Sequence, residues 1–176
     1  MEILILGGIL VAAMVYLSTK IKRGAAQAYE PETVENDEYK FFKSEGFLIP
    51  LNENSGFLLE ARSKDFGADE AKDFSQAKVE LKVLTSANFD AKCKEARQSL
   101  DKITMKNFSD DTAKGQKIYR LEGEESDGET IFEVFRKIVE SKSQKKIYDL
   151  KIRVLRNYRD DYFERINQML ENFSVK

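Results

Sequence analysis

The N-terminal region contains a long run without any charged side chain, which restricts where this chain can reside. The run covers residues 3–19 and reads ILILGGILVAAMVYLST. In an α-helix, its seventeen residues extend about 26 Å, close to the thickness of the hydrocarbon layer of a bilayer. The sequence therefore predicts a transmembrane anchor with a basic flank over residues 1–24. The side chains expected to lie in the membrane are Ile3, Leu6, Ile9, Leu10, Val11, Val15, Tyr16 and Leu17.

The charges that flank this run predict its orientation and argue against a cleaved signal peptide. A signal peptide carries positive charge before its apolar segment, whereas here Lys20, Lys22 and Arg23 follow the run and Glu2 precedes it. Cleavage after the small-residue stretch 26–28 is the alternative interpretation. Because cations close to a span remain on the cytoplasmic side, we expect a single-pass protein of the bacterial inner membrane with its soluble domain in the cytoplasm.

Small residues within the run offer a contact surface for a second membrane helix. Gly7, Gly8 and Ala12 would let another helix approach closely, as pairs of membrane helices often require. The alternative interpretation is that Gly and Ala are simply frequent in membrane helices. Both interpretations remain open from the sequence.

Charge and composition exclude several classes of function for the remaining residues. Without the anchor and its flank, the chain has 26 cations and 30 anions, and it lacks the basic footprint of a nucleic-acid-binding protein. It contains no histidine, which removes the commonest general base and the commonest metal ligand. Cys93 is the sole cysteine, so neither a disulfide nor a multi-cysteine zinc site is expected. The sequence predicts no catalytic residue, no cofactor and no metal site.

The first half of the soluble part has a linker, strands and one amphipathic helix. Residues 25–38 are polar and predict a linker, and residues 39–176 predict the soluble domain. Apolar stretches at 39–51 and 57–61 flank a polar turn and predict a hairpin. Alternation over residues 79–83 predicts a half-buried strand. Asn88 is a candidate N-cap for a helix. Its predicted buried stripe is Phe89, Cys93, Ala96, Leu100 and Ile103.

The second half has three consecutive strand patterns and a closing helix. Residues 116–124, 130–141 and 145–155 are joined by short polar turns, which favours an antiparallel meander. In the last of these strands the even-numbered residues are apolar and the odd-numbered residues are mostly charged, which predicts one wet face. Asp160 or Asp161 is the expected cap of a final helix. Its predicted apolar stripe is Tyr162, Ile166, Met169, Leu170 and Phe173.

Four short strings resemble those of the PsbP/Mog1-like domains. They are EGFLIP at 45–50, YRLEG at 119–123, YDLKI at 148–152 and INQMLENF at 166–173. The resemblance extends from about residue 38 to the C-terminus. It implies an α+β domain in which helices flank an antiparallel β-sheet, an α/β/α sandwich, and it implies a noncatalytic role. This sequence has no tryptophan and no histidine, so no metal-associated residue is carried over.

Together, the anchor and the resemblance predict a noncatalytic accessory or assembly subunit of a membrane protein complex. The resemblance implies a photosynthetic or respiratory complex, whose other subunits and lipid bilayer would be the partners. The alternative is a membrane-tethered small-ligand binder or enzyme with a pocket between sheet and helices. An apolar cavity lined by convergent polar groups would favour that alternative.

Overall fold

The computed structural model describes residues 14–20, 22, 24, 26–50, 56–111 and 114–176. Residues 14–20 are helical, and Val15, Tyr16, Leu17 and Lys20 are exposed. Within the described residues, no helix is both long enough and apolar enough to cross a bilayer. Lys22, one of the cations predicted to set the orientation, is also described and is exposed. The other residues predicted to form the anchor, to contact a second helix or to set the orientation lie outside the described part. They are Ile3, Leu6, Gly7, Gly8, Ile9, Leu10, Val11, Ala12 and Arg23.

The regular elements of the described residues follow one another from residue 32 onward. In chain order they are β1 (Glu32–Glu35), β2 (Tyr39–Lys43), β3 (Phe47–Leu48), β4 (Leu59–Ser63), β5 (Ala77–Thr85), α1 (Phe89–Gln98), β6 (Lys102–Asp111), β7 (Gln116–Asp127), β8 (Thr130–Ser141), β9 (Lys146–Leu155), α2 (Arg159–Asn172) and β10 (Ser174–Val175). Short 3-10 turns cover Asp69–Ala71 and Arg156–Tyr158.

Seven of these strands form one antiparallel sheet with the order β3-β4-β5-β9-β8-β7-β6. The predicted meander is confirmed, because β7 pairs with β8 and β8 pairs with β9. The predicted early hairpin is confirmed for β3 and β4, which pair antiparallel. The remainder of that pattern forms β2, which lies in a smaller sheet with the order β1-β2-β10. Residues 32–35 of the predicted linker are β1 of this smaller sheet.

Helix α1 begins where the sequence predicts but ends earlier. Asn88 caps it, since its side-chain oxygen accepts a hydrogen bond from the Ala91 amide at 2.9 Å. The helix ends at Gln98, so the prediction that Ile103 continues the apolar stripe is wrong. Ile103 lies in β6 and is exposed. Strand β6 has polar residues on both faces, so it carries no apolar alternation, and only its backbone pairing with β7 defines it.

Helix α2 also differs from the prediction at its start. Its N-cap is Tyr158, which makes no side-chain cap, while Asp160 and Asp161 lie in the first turn. A 3-10 turn leads directly into the helix, which therefore starts before either aspartate. Both carboxylates still lie near the positive end of the helix dipole, where negative charge is favourable. The predicted apolar stripe of this helix is confirmed, and all of its residues are buried: Tyr162, Ile166, Met169, Leu170 and Phe173.

The two helices cover opposite faces of the large sheet and enclose separate cores. The main core lies under α2 and includes even-numbered residues of β9, together with Tyr39 and Phe41 of the smaller sheet. The second core lies under α1 and includes Cys93, Leu121 and Ile138. Because both sheet faces are packed against helices, the architecture is an α/β/α sandwich.

Candidate functional site

Helix α1 covers only one end of its sheet face, and the rest of that face is charged. Antiparallel partners project to the same side of a sheet, so the strand register identifies which side chains share this face. We call these ten side chains the charged face. They are Glu60 and Arg62 of β4, Lys78, Glu80 and Lys82 of β5, Glu125 of β7, Arg136 of β8, and Asp149, Lys151 and Arg153 of β9.

Three cations stand side by side across this face. Arg62 lies opposite Lys78, and Lys78 lies opposite Arg153. Like charges directly opposite one another destabilise a sheet, so this row is held by the acids beside it. Arg62 Nη2 lies 2.6 Å from Glu60 Oε1, and Lys78 Nζ lies 2.6 Å from Glu80 Oε1. The face is therefore a network of ion pairs rather than a set of separate charges.

The inner end of the network is a buried ion pair between Arg136 and Asp149. Arg136 Nε donates to Asp149 Oδ1 at 2.7 Å and Nη2 donates to Oδ2 at 2.5 Å, so the contact is bidentate. The two residues are only 7% and 3% exposed. Burial opposes ionisation of the carboxyl, but Arg136, assisted by Lys92, outweighs it and lowers the pKa of Asp149. The pair is ionised and forms a fixed end to the charged face.

A hollow of about 180 Å³ separates this end of the face from helix α1. Lys92 of α1 reaches across it, with Nζ 3.4 Å from Asp149 Oδ2 and 2.6 Å from Glu95 Oε1. Lys82 and Lys151 line the opposite side. Charged groups of both signs surround this space, so it suits a polar group of a partner better than an apolar ligand.

A second hollow, of about 200 Å³, lies at the other end of the charged face. Phe66 and Phe132 line it together with the cations of the row. The guanidinium carbon of Arg153 lies 5.0 Å from the centre of the Phe132 ring, a cation–π contact. Phe66 is 56% exposed. Aromatic rings beside arginines are typical of the central residues of protein interfaces.

The balance of charge on this face differs from that of the whole chain. Its members include six cations and four anions, whereas the full sequence has a net charge of -2. The exposed members of this face are Arg62, whose side chain is 56% exposed, and Lys82. The accessible groups are thus mainly cationic, and they suit an acidic surface.

A cavity of about 420 Å³ lies at one end of the sheet. It is lined by the residues that open β8 and close β9, including Thr130 and Leu155, together with Asp69 and Asn157. This position is not between the sheet and a helix, where the small-ligand alternative would place its pocket. In the described residues, the two cores occupy the space between the sheet and the helices, apart from the charged hollow beside α1.

The acid-rich stretch before Gly128 and the single thiol, Cys93, both have structural positions. The acidic residues 122–127 belong to strand β7, and the turn follows at Gly128. Among the residues that the structure describes, no three potential metal ligands of the Cys, Asp or Glu type are grouped together. Cys93 is buried under α1, and burial raises the pKa of its thiol to about 11. A thiol with this pKa is overwhelmingly protonated at neutral pH and is a poor nucleophile.

We expect Cys93→Ser to reduce the free energy of unfolding by about 1 to 2 kcal/mol, because it places a hydroxyl on a buried apolar face. Urea unfolding of the full-length protein in mild detergent, followed by circular dichroism, measures this cost. Any biological role should be unchanged at temperatures where the variant is folded. Loss of that role without loss of stability would contradict a purely structural thiol.

Sequence reasoning missed the central pair of the charged face. Residues 147–150 read IYDL, so a single acid, Asp149, interrupts an apolar stretch. That interruption was the available signal, because an acid among apolar residues is buried only when it is paired. The partner, Arg136, lies thirteen positions away. Its identity depends on the pairing of β8 with β9.

Comparisons with known proteins identify the fold. No protein-family model matches the sequence, and no curated protein matches it. Several solved structures are similar to this chain, among them the following three. Cyanobacterial PsbP from Synechocystis sp. PCC 6803 has a TM-score of 0.56 at 11% identity, covering 84% of this chain and 94% of that one. LpqN, involved in cell envelope biogenesis of Mycobacterium tuberculosis, has a TM-score of 0.56 at 14% identity, covering 84% and 91%.

The third is the Ran-binding protein Mog1p of Saccharomyces cerevisiae, with a TM-score of 0.53 at 10% identity, covering 84% of this chain and 96% of that one. Identities this low carry no residue roles from one protein to another. The fold of these structures nevertheless agrees with the fold that the four sequence strings implied. The described domain therefore has a PsbP/Mog1-like fold.

Proposed function

We propose that this chain is a noncatalytic accessory or assembly subunit of a membrane protein complex, and that the charged face binds another subunit. The observation that carries the proposal is the cation row on the part of the sheet that α1 does not cover. There the Phe57 ring lies 5.4 Å from Lys78 Nζ, and the side chain of Arg62 is 56% exposed. Three neighbouring cations repel one another, and Arg62 stays largely exposed although Glu60 is paired with it; this exposed positive charge supports a role in recognition. Mog1p binds a protein partner, Ran, with the same fold.

The proposal includes a single N-terminal membrane anchor. It is supported by the uncharged run at residues 3–19 and by the cations that follow it, of which Lys20 and Lys22 are exposed. The same cations favour a cytoplasmic domain at the bacterial inner membrane. An anchor would hold the charged face close to other subunits, and this raises the effective concentration of a weakly binding surface.

Charge predicts the chemistry of the partner surface. The exposed groups of the charged face are mainly cationic, and a complementary partner would therefore present carboxylates. The aromatic hollow at Phe66 and Phe132 would accept an apolar side chain beside those carboxylates. The partner we propose is an acidic surface of a membrane-complex subunit with at least one protruding apolar residue.

Purification of the tagged full-length protein from its own membranes tests this proposal. The protein should require detergent for extraction and should elute with other subunits. The variant Arg62→Gln with Lys82→Glu changes two exposed members of the charged face. We expect it to retain about tenfold less partner, since lost charge complementarity of about 1.4 kcal/mol has this effect.

A matched control makes the same change of charge elsewhere. Lys94→Glu with Arg97→Gln alters two exposed residues on the flank of α1 that faces away from Lys92. This variant should retain the partner at the wild-type level. Recovery of the wild-type protein alone, or equal partner loss in both variants, would contradict binding by the charged face.

A further inference from the structure

Strand β6 forms one end of the large sheet, and no described strand pairs with its outer edge. It is ten residues long, and almost all of its side chains are exposed. Phe108 is 55% exposed. A long edge strand presents a row of backbone donors and acceptors that another strand can pair with. Proteins commonly protect such an edge with charged side chains, proline, β-bulges or a covering helix or loop.

The charges of β6 are of both signs, so they do not repel a second copy of the same strand. Lys102 and Lys106 lie in its first half, and Asp110 and Asp111 lie at its end. Two copies of the strand in antiparallel alignment would bring the basic half of each toward the acidic half of the other. Neither Lys106 nor Asp110 has an ion-pair partner among the described residues. Both charges are therefore available to a second strand.

We propose that β6 pairs with β6 of a second copy of this chain, antiparallel and centred on Phe108. Residues opposite one another in such a pair must lie on the same face of the sheet. Their numbers therefore differ by an even number, and the two-fold axis that relates the copies lies at a residue rather than between two residues. With the axis at Phe108, Lys106 of each copy lies opposite Asp110 of the other copy, and the two Phe108 residues lie opposite each other. Centring on Lys106 would oppose two lysines, and centring on Asn107 would leave both charges unpaired.

The pairing extends over residues 105–111 of each copy. A register shift between Ile103 and Met105 marks a bulge in β6, and bulges end regular pairing. In the remaining stretch, Asn107 lies opposite Ser109, and both are polar. The Phe108 ring already lies 6.3 Å from the Phe89 ring of α1, so two copies would join their aromatic pairs across the dyad. This inference is independent of the charged face and its partner.

Disulfide trapping in the full-length protein tests the register. Cα atoms opposite one another in an antiparallel pair lie about 4.5 to 5.5 Å apart, within the range that a disulfide spans. Phe108→Cys should therefore form a covalent dimer on mild oxidation in membranes. The wild-type protein, whose only thiol is the buried Cys93, should not. Phe66→Cys is the matched control, because Phe66 is equally exposed but lies at the charged face.

A charge swap separates pairing from random collision. The variant Phe108→Cys with Lys106→Asp has an acid at position 106 of each copy facing Asp110 of the other copy. The resulting repulsion should lower the fraction of disulfide-linked dimer about tenfold. Adding Asp110→Lys as well restores opposite charges and should recover the dimer. Trapping no higher than that of Phe66→Cys, or insensitive to the swap, would overturn the proposal. So would sedimentation of the wild-type protein in detergent as a monomer at every concentration, a measurement that needs no substitution.

Discussion

Asp149→Ala is expected to lower the free energy of unfolding by about 3 to 5 kcal/mol, because it leaves the buried Arg136 guanidinium without its counter-charge. Both hydrogen bonds of the bidentate contact are lost with the carboxylate. Lys92 loses a partner too, but it keeps its contact with Glu95. The cost therefore arises mainly from one uncompensated charge inside the sandwich.

Urea unfolding of the full-length protein in mild detergent, followed by circular dichroism, measures this change. Asp160→Ala is the control, because Asp160 is exposed and its removal should cost less than 1 kcal/mol. The double variant Arg136→Met with Asp149→Leu should be more stable than Asp149→Ala, since an apolar pair of similar volume has no unpaired charge. Equal stability of Asp149→Ala and the wild type would show that the guanidinium is compensated by other groups.

The same pair predicts how stability depends on pH. The pKa of Asp149 is lower in the folded protein than in the unfolded chain. Its contribution to stability is therefore complete above the unfolded value near 3.9, and it is lost as pH falls through the lower folded value. In Asp149→Ala, the free energy of unfolding should therefore fall less steeply than in the wild type as the pH is lowered below about 3.9.

Gly123→Ala is expected to destabilise the protein by about 1 to 3 kcal/mol or more, as overpacking of a filled interior does. Gly123 lies in β7 opposite Ile103, next to the segment that connects α1 to β6. A β-carbon at this position would overlap the backbone carbonyl oxygen of Lys102 and lie 2.7 Å from Leu100 Cδ1. Because the Lys102 carbonyl is backbone, β6 must shift for the variant to fold.

Thermal unfolding of the full-length protein in detergent tests this substitution. Gly24→Ala is the control, because a β-carbon there has no neighbouring atom within 4 Å and Ala is favoured over Gly in a helix. It should leave stability unchanged or slightly raised. A Gly123→Ala variant as stable as the wild type would mean that β6 moves freely at this end.

Patterns local in the sequence determined most of the fold. The stripes of the two helices identify their buried sides, and the alternation in β9 identifies its side under α2, because a period of 2 or 3.6 depends only on spacing. The opposite side of β9, predicted to be wet, is buried at Ile147 and Asp149. Asn88 marked the start of α1 through its own hydrogen bond with the backbone. The strings at 45–50 and 166–173 lay in an order that resembled the fold which the comparisons confirmed.

Other features had no local pattern and depended on neighbours distant in the chain. Strand β6 is polar on both faces, so pairing with β7 decides its conformation. The start of α2 is set by the 3-10 turn before it rather than by an aspartate.

The charged face was also decided only by the tertiary structure. Its ten residues come from five strands, and register alone aligns the cations Arg62, Lys78 and Arg153 in one row. In the sequence, Asp149 belongs to an alternating strand, where charged residues usually meet water. It is buried because α1 covers that part of the face and because Arg136 on the adjacent strand neutralises it. Both causes require elements that meet only after folding.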